Sequence, residues 1–454
     1  MQTPEIFLED ISNYTPSMLL SFLGQNEDFV FLDGESKNNG ARFGIMALDP
    51  FAKFSVHRNI QSFSLLGKKQ LLTGCPFENL ASKLEAYSFE EHFQGLPCLG
   101  AAIGYIAYEA TKFCYPLKLS GTQYPEMAFA FYDRMVVFDY FENKSYWVQV
   151  EILPKEKRMI GFLKFLEKYT REINHLEISD LEPMVAKESF VKDVQAIQSF
   201  IKEGDVYQVN LAHSFEAKYR GSLLPICQSL RHHNKCPYSA YINFESLKIL
   251  SVSPERFVKM DNHFIQSRPI KGTVARGNSP VEDIRQKNKL LESEKDQAEL
   301  LMITDLMRHD LGSICELKSV TVPSLYDLET YDEVFHLVAT IEGELKKDIS
   351  HAMALKAIFP AGSITGAPKK RAVEIIEEVE KKARGLYTGS IGYLGFNHKS
   401  DFNVAIRTLF ADENRLYCHA GAGITAKSDP ESEWQETLDK VRGIRKVLEN
   451  INNP

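Results

Sequence analysis

Met135-Val-Val-Phe-Asp-Tyr-Phe141 and Ser145-Tyr-Trp-Val-Gln-Val150 are two runs of β-branched and aromatic residues, with Glu142-Asn143-Lys144 between them. Runs of this kind around a three-residue polar link read as a β-hairpin, and a hairpin joins antiparallel strands. The whole first third reads as mostly strand on the same signals. Further strands are expected at residues 206–215, 240–244, 247–253 and 257–270. Helical spacing appears at Phe190, Val194, Ile197 and Ile201, and Gly204 is placed to end that helix. Charged residues at helical spacing fill 154–174, and longer helical patterns cover 281–314, 369–382 and the chain from Pro430 onward. Strands in runs followed by helices in runs predict an α+β fold with antiparallel sheets; a doubly wound parallel fold would alternate more strictly. The polar, proline-containing stretch 175–186 is the expected boundary between an N-terminal region, 1–174, and a second domain, 187–450.

Bulk properties narrow the partners. The 454 residues are 44% hydrophobic and 25% charged, as in an ordinary globular protein. A net charge of −8 argues against nucleic acid, whose phosphates call for a basic face. Glu5, Glu9 and Asp10 make the start unlike a signal peptide, and no run of 18 apolar residues suggests a membrane span. Seven scattered cysteines include no C-x-x-C pair, so neither zinc nor a disulfide framework is indicated. Reduced thiols in a cytoplasmic protein are the expectation.

Several residue groups carry chemistry. Asp296 and Glu299 lie three apart, as do Glu433 and Glu436, and residues three apart share a helix face. Such hard oxygens suit Mg²⁺, although solvated helix faces look the same on spacing alone, and Lys440 could simply pair with Glu436. Lys271, between Ile270 and Gly272, is oddly placed for a solvated charge. To act as a nucleophile it must lose its proton, which takes desolvation or neighbouring cations; an edge-strand lysine is the plainer reading. Glu255, in Ser253-Pro-Glu-Arg256, could be a general acid if burial raises its pKa. Arg407 sits in an apolar stretch and needs an anion, either a substrate carboxylate or a structural partner. The loop Ala361-Gly-Ser-Ile-Thr-Gly-Ala-Pro368 runs into a helix but lacks the G-K-[ST] of a P-loop. A second glycine-rich loop, His419-Ala-Gly-Ala-Gly-Ile424, offers amides to a carboxylate or is a plain turn.

Taken in order, GDVYQVNLA, SVSPERF, RPIKGT, AELLMITDLMRHD, FHLVATIEG, FPAGSITGAPKKRAVEII, LYTGSIGY, AIRTL, HAGAGITA and SEWQETLDK resemble the chorismate-utilising enzymes. The match runs from about residue 187 to 448. GARFGIMALDP and GAAIGYIAYE are similar to that family's N-terminal accessory region. The resemblance implies a large two-subdomain α/β sandwich of antiparallel sheets flanked by helices, of the anthranilate synthase component I type. It implies that Glu299 and Glu436 coordinate Mg²⁺, with Asp296 and Glu433 reaching it through water. It gives Tyr387, Arg407, the amides of Gly421 and Gly423, and Lys440 to the enolpyruvyl carboxylate end, and Thr273 and His336 to the ring. Glu255 would then protonate the departing C4 hydroxyl.

Two positions separate the branches. Members that form anthranilate have alanine at the place of Lys271; the P-I-K-G-T form is typical of members that aminate chorismate at C4. Members that add water carry a lysine base where this chain has Gln208, which cannot act as one. The resemblance thus implies chorismate and ammonia as substrates. No Gly-x-Cys-x-Gly elbow is present, so a separate glutamine amidotransferase subunit is the implied ammonia source. The runner-up is anthranilate formation. A catalytically silent relative that binds chorismate or tryptophan is disfavoured by the complete set Glu255, Lys271, Glu299, Arg407, Glu436. His309 stands where the family usually has asparagine. Relatives also carry a tryptophan pocket near the place of Phe31-Leu-Asp-Gly-Glu-Ser36.

Overall fold

A computed structural model describes residues 4–35, 41–90, 95–153, 156, 158–170, 175–233 and 235–452. Two large sheets, antiparallel throughout, form its frame: thirteen strands in one and twelve in the other among the described residues. The hairpin that the sequence announces is present as Arg134–Asp139 and Lys144–Val150, paired from Asp139↔Lys144 to Arg134↔Gln149. Its Trp147 is buried, gives its indole N–H to the Ile160 carbonyl at 3.0 Å, and packs on Phe165.

Both sheets draw strands from both halves of the chain. Phe29–Asp33 pairs with Tyr238–Phe244, with Phe31 opposite Tyr241. Ala101–Ile106 pairs with Ser390–Gly395, with Gly104 opposite Gly392. The boundary stretch 175–186 itself carries Leu176–Ile178 and Glu182–Pro183, both paired with the long strand Gln208–Gly221. One apolar core is shared by the two sheets, with Val137, Ile242 and Ile249 from the first meeting Ile103, Val258 and Phe402 from the second.

Helices lie on this frame where the apolar spacing turns them. Lys187–Glu203 buries Phe190, Val194 and Ile197, and Gly204 ends it in the left-handed conformation (φ 86°) that glycine adopts without steric cost. Pro430–Asn452 buries Trp434, Thr437, Val441 and Ile444. No helix among the described residues is long and apolar enough to cross a membrane.

Four local expectations are corrected. The helical pattern over 281–314 is two helices, Pro280–Leu291 and Glu294–Ile314; Ser293 interrupts it by capping the second, accepting a bond from the Asp296 N–H. Residues 257–270 form a hairpin, Arg256–Asp261 and Phe264–Arg268, turned at Asn262 (φ 52°). Residues 419–424 are strand, not loop, as the end of Arg415–Ile424. Within 154–174 the described helix is only Phe162–Leu166, and 154, 155, 157 and 171–174 lie outside the described residues.

Candidate active site

Lys271 lies in the strand Ile270–Ala275, which pairs with Val334–Glu344. Lys271 opposes Leu337 and Thr273 opposes His336, so Gly272 is an extra residue in the ladder. Such a bulge re-aims the neighbouring side chains. Gly272 takes φ 74°, and a Cβ there would lie 3.0 Å from the Cβ of Asp296. The bulge therefore seats Lys271 against the first turn of the helix Glu294–Ile314.

Lys271 is half-buried. Burial pulls its pKa down and Lys440 adds to this, while Glu299, Glu255 and Glu436 pull the other way. Three predicted carboxylates thus converge on one predicted amine.

Glu255 follows the strand Leu247–Ser253 and is 5% exposed. Burial pushes its carboxyl up to about 7, against the Ser363 hydroxyl, the Lys271 charge and the Ile270 N–H, which favour the carboxylate. A group with that pKa can give a proton near neutrality and take it back.

The acidic helices face one another. Burial raises Glu299, opposed by Lys271 and Lys295, with Asp296 and Glu436 adding to the rise. Burial raises Glu433 too, against a bond from Ser428. Burial works against the Glu436 carboxylate as well, but Lys440, at 2.6 Å, holds it below the usual range. Two carboxyls lifted by burial and like charge mark a place that a cation would stabilise.

Around Lys440 and Gly421 the surroundings are cationic and rich in amides. The Gly421 carbonyl accepts from Lys440 Nζ at 2.8 Å, while its cross-strand partner Ala212 gives its N–H to Glu380 at 2.8 Å. Asn210, opposite Gly423, likewise gives its N–H to Thr365, at 2.7 Å. Both glycines are therefore in non-hydrogen-bonded pairs, and their N–H groups point away from Gln208–Gly221. The strand on that other side, Thr408–Asp412, reaches only to Cys418, so the edge beyond is open. Arg407, with φ 49°, sits immediately before Thr408 at that opening and makes no ion pair among the described residues. Tyr387 is buried, its phenol pushed up to about 12 by burial, and its oxygen would lie 2.8 Å from a Cβ on Gly421. Thr273 Oγ1 is 2.8 Å from His336 Nδ1, and burial, with Arg407 adding to it, brings the His336 pKa to about 3. The ring wall is neutral.

Charge coupling joins Lys271 with Glu255, Glu299, Glu436 and Lys440, and these acids with Asp296 and Glu433. Thr273, His336 and Arg407 form a second group, and Lys440 and Tyr387 both reach Gly421. The sequence did not single out Ser363, Asn210 or Lys295. Ser363 belongs to the glycine-rich loop at 361–368, so the loop was visible while its contact with Glu255 was not. In that loop Gly366-Ala367 pairs with Gln208-Val209, and Lys369 beyond it is buried against Asp310. A cavity of 390 Å³ opens elsewhere, lined by Asp33, Gly34, Arg42, Tyr238, Arg256 and Asp401. It borders the Phe31–Glu35 segment; Ser36 lies outside the described residues.

A half-buried amine of lowered pKa beside a carboxyl that burial raises to about 7 is an arrangement suited to an enzyme site. The chain belongs to the chorismate binding enzymes, whose family pattern it matches over residues 27–446. It is 37% identical to aminodeoxychorismate synthase component 1 of Escherichia coli, over 90% of each chain. It is 36% identical to anthranilate synthase component 1 of Aquifex aeolicus, over 79% of this chain and 76% of that one. The crystal structure of anthranilate synthase component I from Streptococcus pneumoniae superposes with a TM-score of 0.77 at 27% identity, covering 95% and 97% of the two chains.

Proposed function

We propose that this protein is the synthase subunit that converts chorismate and ammonia to 4-amino-4-deoxychorismate. The observation that carries this reading is Lys271, an amine of lowered pKa aimed by the Gly272 bulge at the space that Glu255 also faces. Relatives named for the C4 amination and for anthranilate formation are both similar to this chain, and the lysine favours the former.

Lys271 attacks C2 as an unprotonated amine, the ring double bond shifts, and the C4 hydroxyl leaves as water with the proton of Glu255. Ammonia then adds at C4, the double bond returns, and the C2–N bond breaks to free the lysine. The new C4 ammonium gives a proton back to the Glu255 carboxylate. The Ser363 hydroxyl and the Ile270 N–H stabilise that carboxylate while it lasts. Arg407 and the amides of Gly421 and Gly423 hold the enolpyruvyl carboxylate, with Tyr387 and Lys440 beside them. Thr273 and His336 bound the ring.

Glu299 and Glu436, with Asp296 and Glu433 behind them, fit Mg²⁺ by their hard oxygens, and burial and neighbouring carboxylates raise Glu299 and Glu433. Among the described residues no three His, Cys, Asp or Glu side chains close on a metal. Mg²⁺ usually keeps several waters and takes one or two carboxylates, and a substrate carboxylate would complete its shell. When bound, the ion supplies charge neutralisation and orientation for the ring carboxylate. Ammonia would come from a separate glutamine amidotransferase subunit, and seven free cysteines fit a cytoplasmic setting.

Mass analysis of the product from chorismate, Mg²⁺ and ammonium tests this reading. 4-Amino-4-deoxychorismate is expected; anthranilate as the main product would overturn it.

A further inference from the structure

The helix Pro430–Asn452, which carries Glu433, Glu436 and Lys440, is held from behind by His213 on the strand Gln208–Gly221. His213 is 4% exposed, and its Nε2 lies 2.8 Å from Thr437 Oγ1. With the Thr437 hydroxyl giving its single hydrogen to the Trp434 carbonyl, 2.7 Å away, the neutral imidazole donates to Thr437 from Nε2. Burial lowers the His213 pKa to about 4, and the ring is neutral at working pH. It stacks on Trp434, with centroids 4.7 Å apart and planes at 16°, between Phe190 and Phe215.

These partners alternate with the acids along the helix. Trp434 follows Glu433, and Thr437 follows Glu436. Successive helix residues turn by about 100°, so the clamped face and the acidic face are neighbours, and a rotation of one rotates the other. Apolar packing has little directional preference, whereas a hydrogen bond has a narrow angular range. The bond between His213 and Thr437 is thus a directional constraint on how this helix is turned about its axis, beside the bond from Lys440 to the Gly421 carbonyl.

We propose that His213 is a positioning residue that fixes the aim of Glu433 and Glu436 at the ion; this rests on the metal reading above. Groups one step behind metal ligands typically govern affinity by about 10–100-fold. Three variants separate the parts of the contact. His213→Gln can keep a donor near Nε2, His213→Phe keeps a ring without a donor, and Thr437→Val removes the hydroxyl from the helix side.

Mg²⁺ binding to the purified full chain, by calorimetry with chorismate present and ammonia withheld, is the readout, with thermal melts alongside. His213→Gln is expected within about threefold of wild type, while His213→Phe and Thr437→Val lose about 10–100-fold in Mg²⁺ affinity although folded. Should His213→Phe not fold, Thr437→Val, a change of one hydroxyl for a methyl, carries the same test. Wild-type Mg²⁺ affinity in a folded His213→Phe or Thr437→Val protein overturns the positioning role and leaves the metal reading standing. No Mg²⁺ uptake by wild type overturns the metal reading itself and this role with it.

Discussion

Asp296 rests against Gly272: a Cβ on that glycine would stand 3.0 Å from both the Cβ and the carboxyl carbon of Asp296. The contact joins the strand of the amine to the helix of the acids, and nothing larger than hydrogen fits there. Gly272→Ala must also hold φ near 74°, which costs an L-residue roughly 1 kcal/mol or more. The expected result is a fall in kcat of about 100-fold, from displacement of Lys271 by a fraction of an ångström to an ångström, with a modest loss of stability. Steady-state kinetics beside a denaturant melt check this; wild-type kcat would show that the bulge does not aim the lysine.

Lys271→Ala should lower C4 amination by at least about 100-fold, or ~2.7 kcal/mol of barrier, and let some anthranilate form. Arg407→Gln should act differently, raising KM for chorismate by about 10-fold or more through loss of one charge-assisted contact. Product analysis and kinetics on the two variants distinguish nucleophile from anchor. Full wild-type rate and product from Lys271→Ala would refute the nucleophile.

Glu255 sets the pH behaviour. Its pKa rises from 4.5 to about 7 on folding, so the folded state holds the proton more tightly. The group's contribution to stability is full below about pH 4.5 and is lost as pH rises through 7. Glu255→Gln should therefore be inactive yet more stable than wild type at pH 8, by at most about 3 kcal/mol, with no such gain at pH 4. Wild-type kcat should fall as pH rises above about 7, because the acid form is consumed. Melting temperatures of the pair at pH 4 and pH 8 test the sign.

Lys369 and Asp310 tie the helix Glu294–Ile314 to the helix Lys369–Glu380. The ammonium lies 2.5 Å from the carboxylate and 2.8 Å from the Ile358 carbonyl, and both side chains are buried. Lys369→Met leaves a buried carboxylate without its partner and should cost about 3–5 kcal/mol. Burial already raises the Asp310 pKa, so the deficit is expected to shrink at low pH, where that carboxyl takes up a proton. Adding Asp310→Leu should recover much of the loss. Urea unfolding of the single and double variants measures both.

Where local chemistry dictates structure, it was readable in the residues. The 134–150 hairpin and the Gly204-capped helix depend on neighbours in the chain, and both formed as the patterns imply. The break at Ser293 was missed because the apolar spacing continues through it, and a serine cap competes with helix continuation only when its geometry is satisfied. The glycines of His419–Ile424 suggest turns, yet they occur in a strand because Tyr387 and Gln208 press against them.

The acidic pairs, the lone lysine and the arginine were each visible with a bland alternative, and resemblance to a family favoured the functional reading. Spacing alone puts two carboxylates on one helix face, since that geometry is intrinsic to a helix. The sequence by itself determined the antiparallel α+β class, the apolar face and end of the helix Lys187–Glu203, and which side chains are able to do chemistry. Only the tertiary structure decided that Glu255 is buried enough to hold a proton near pH 7 and that Lys271 meets acids from separate elements. It also decided that strands from both halves complete each other's sheets. Desolvation and charge coupling depend on what long-range folding brings within a few ångströms, and no local pattern in the chain encodes those distances.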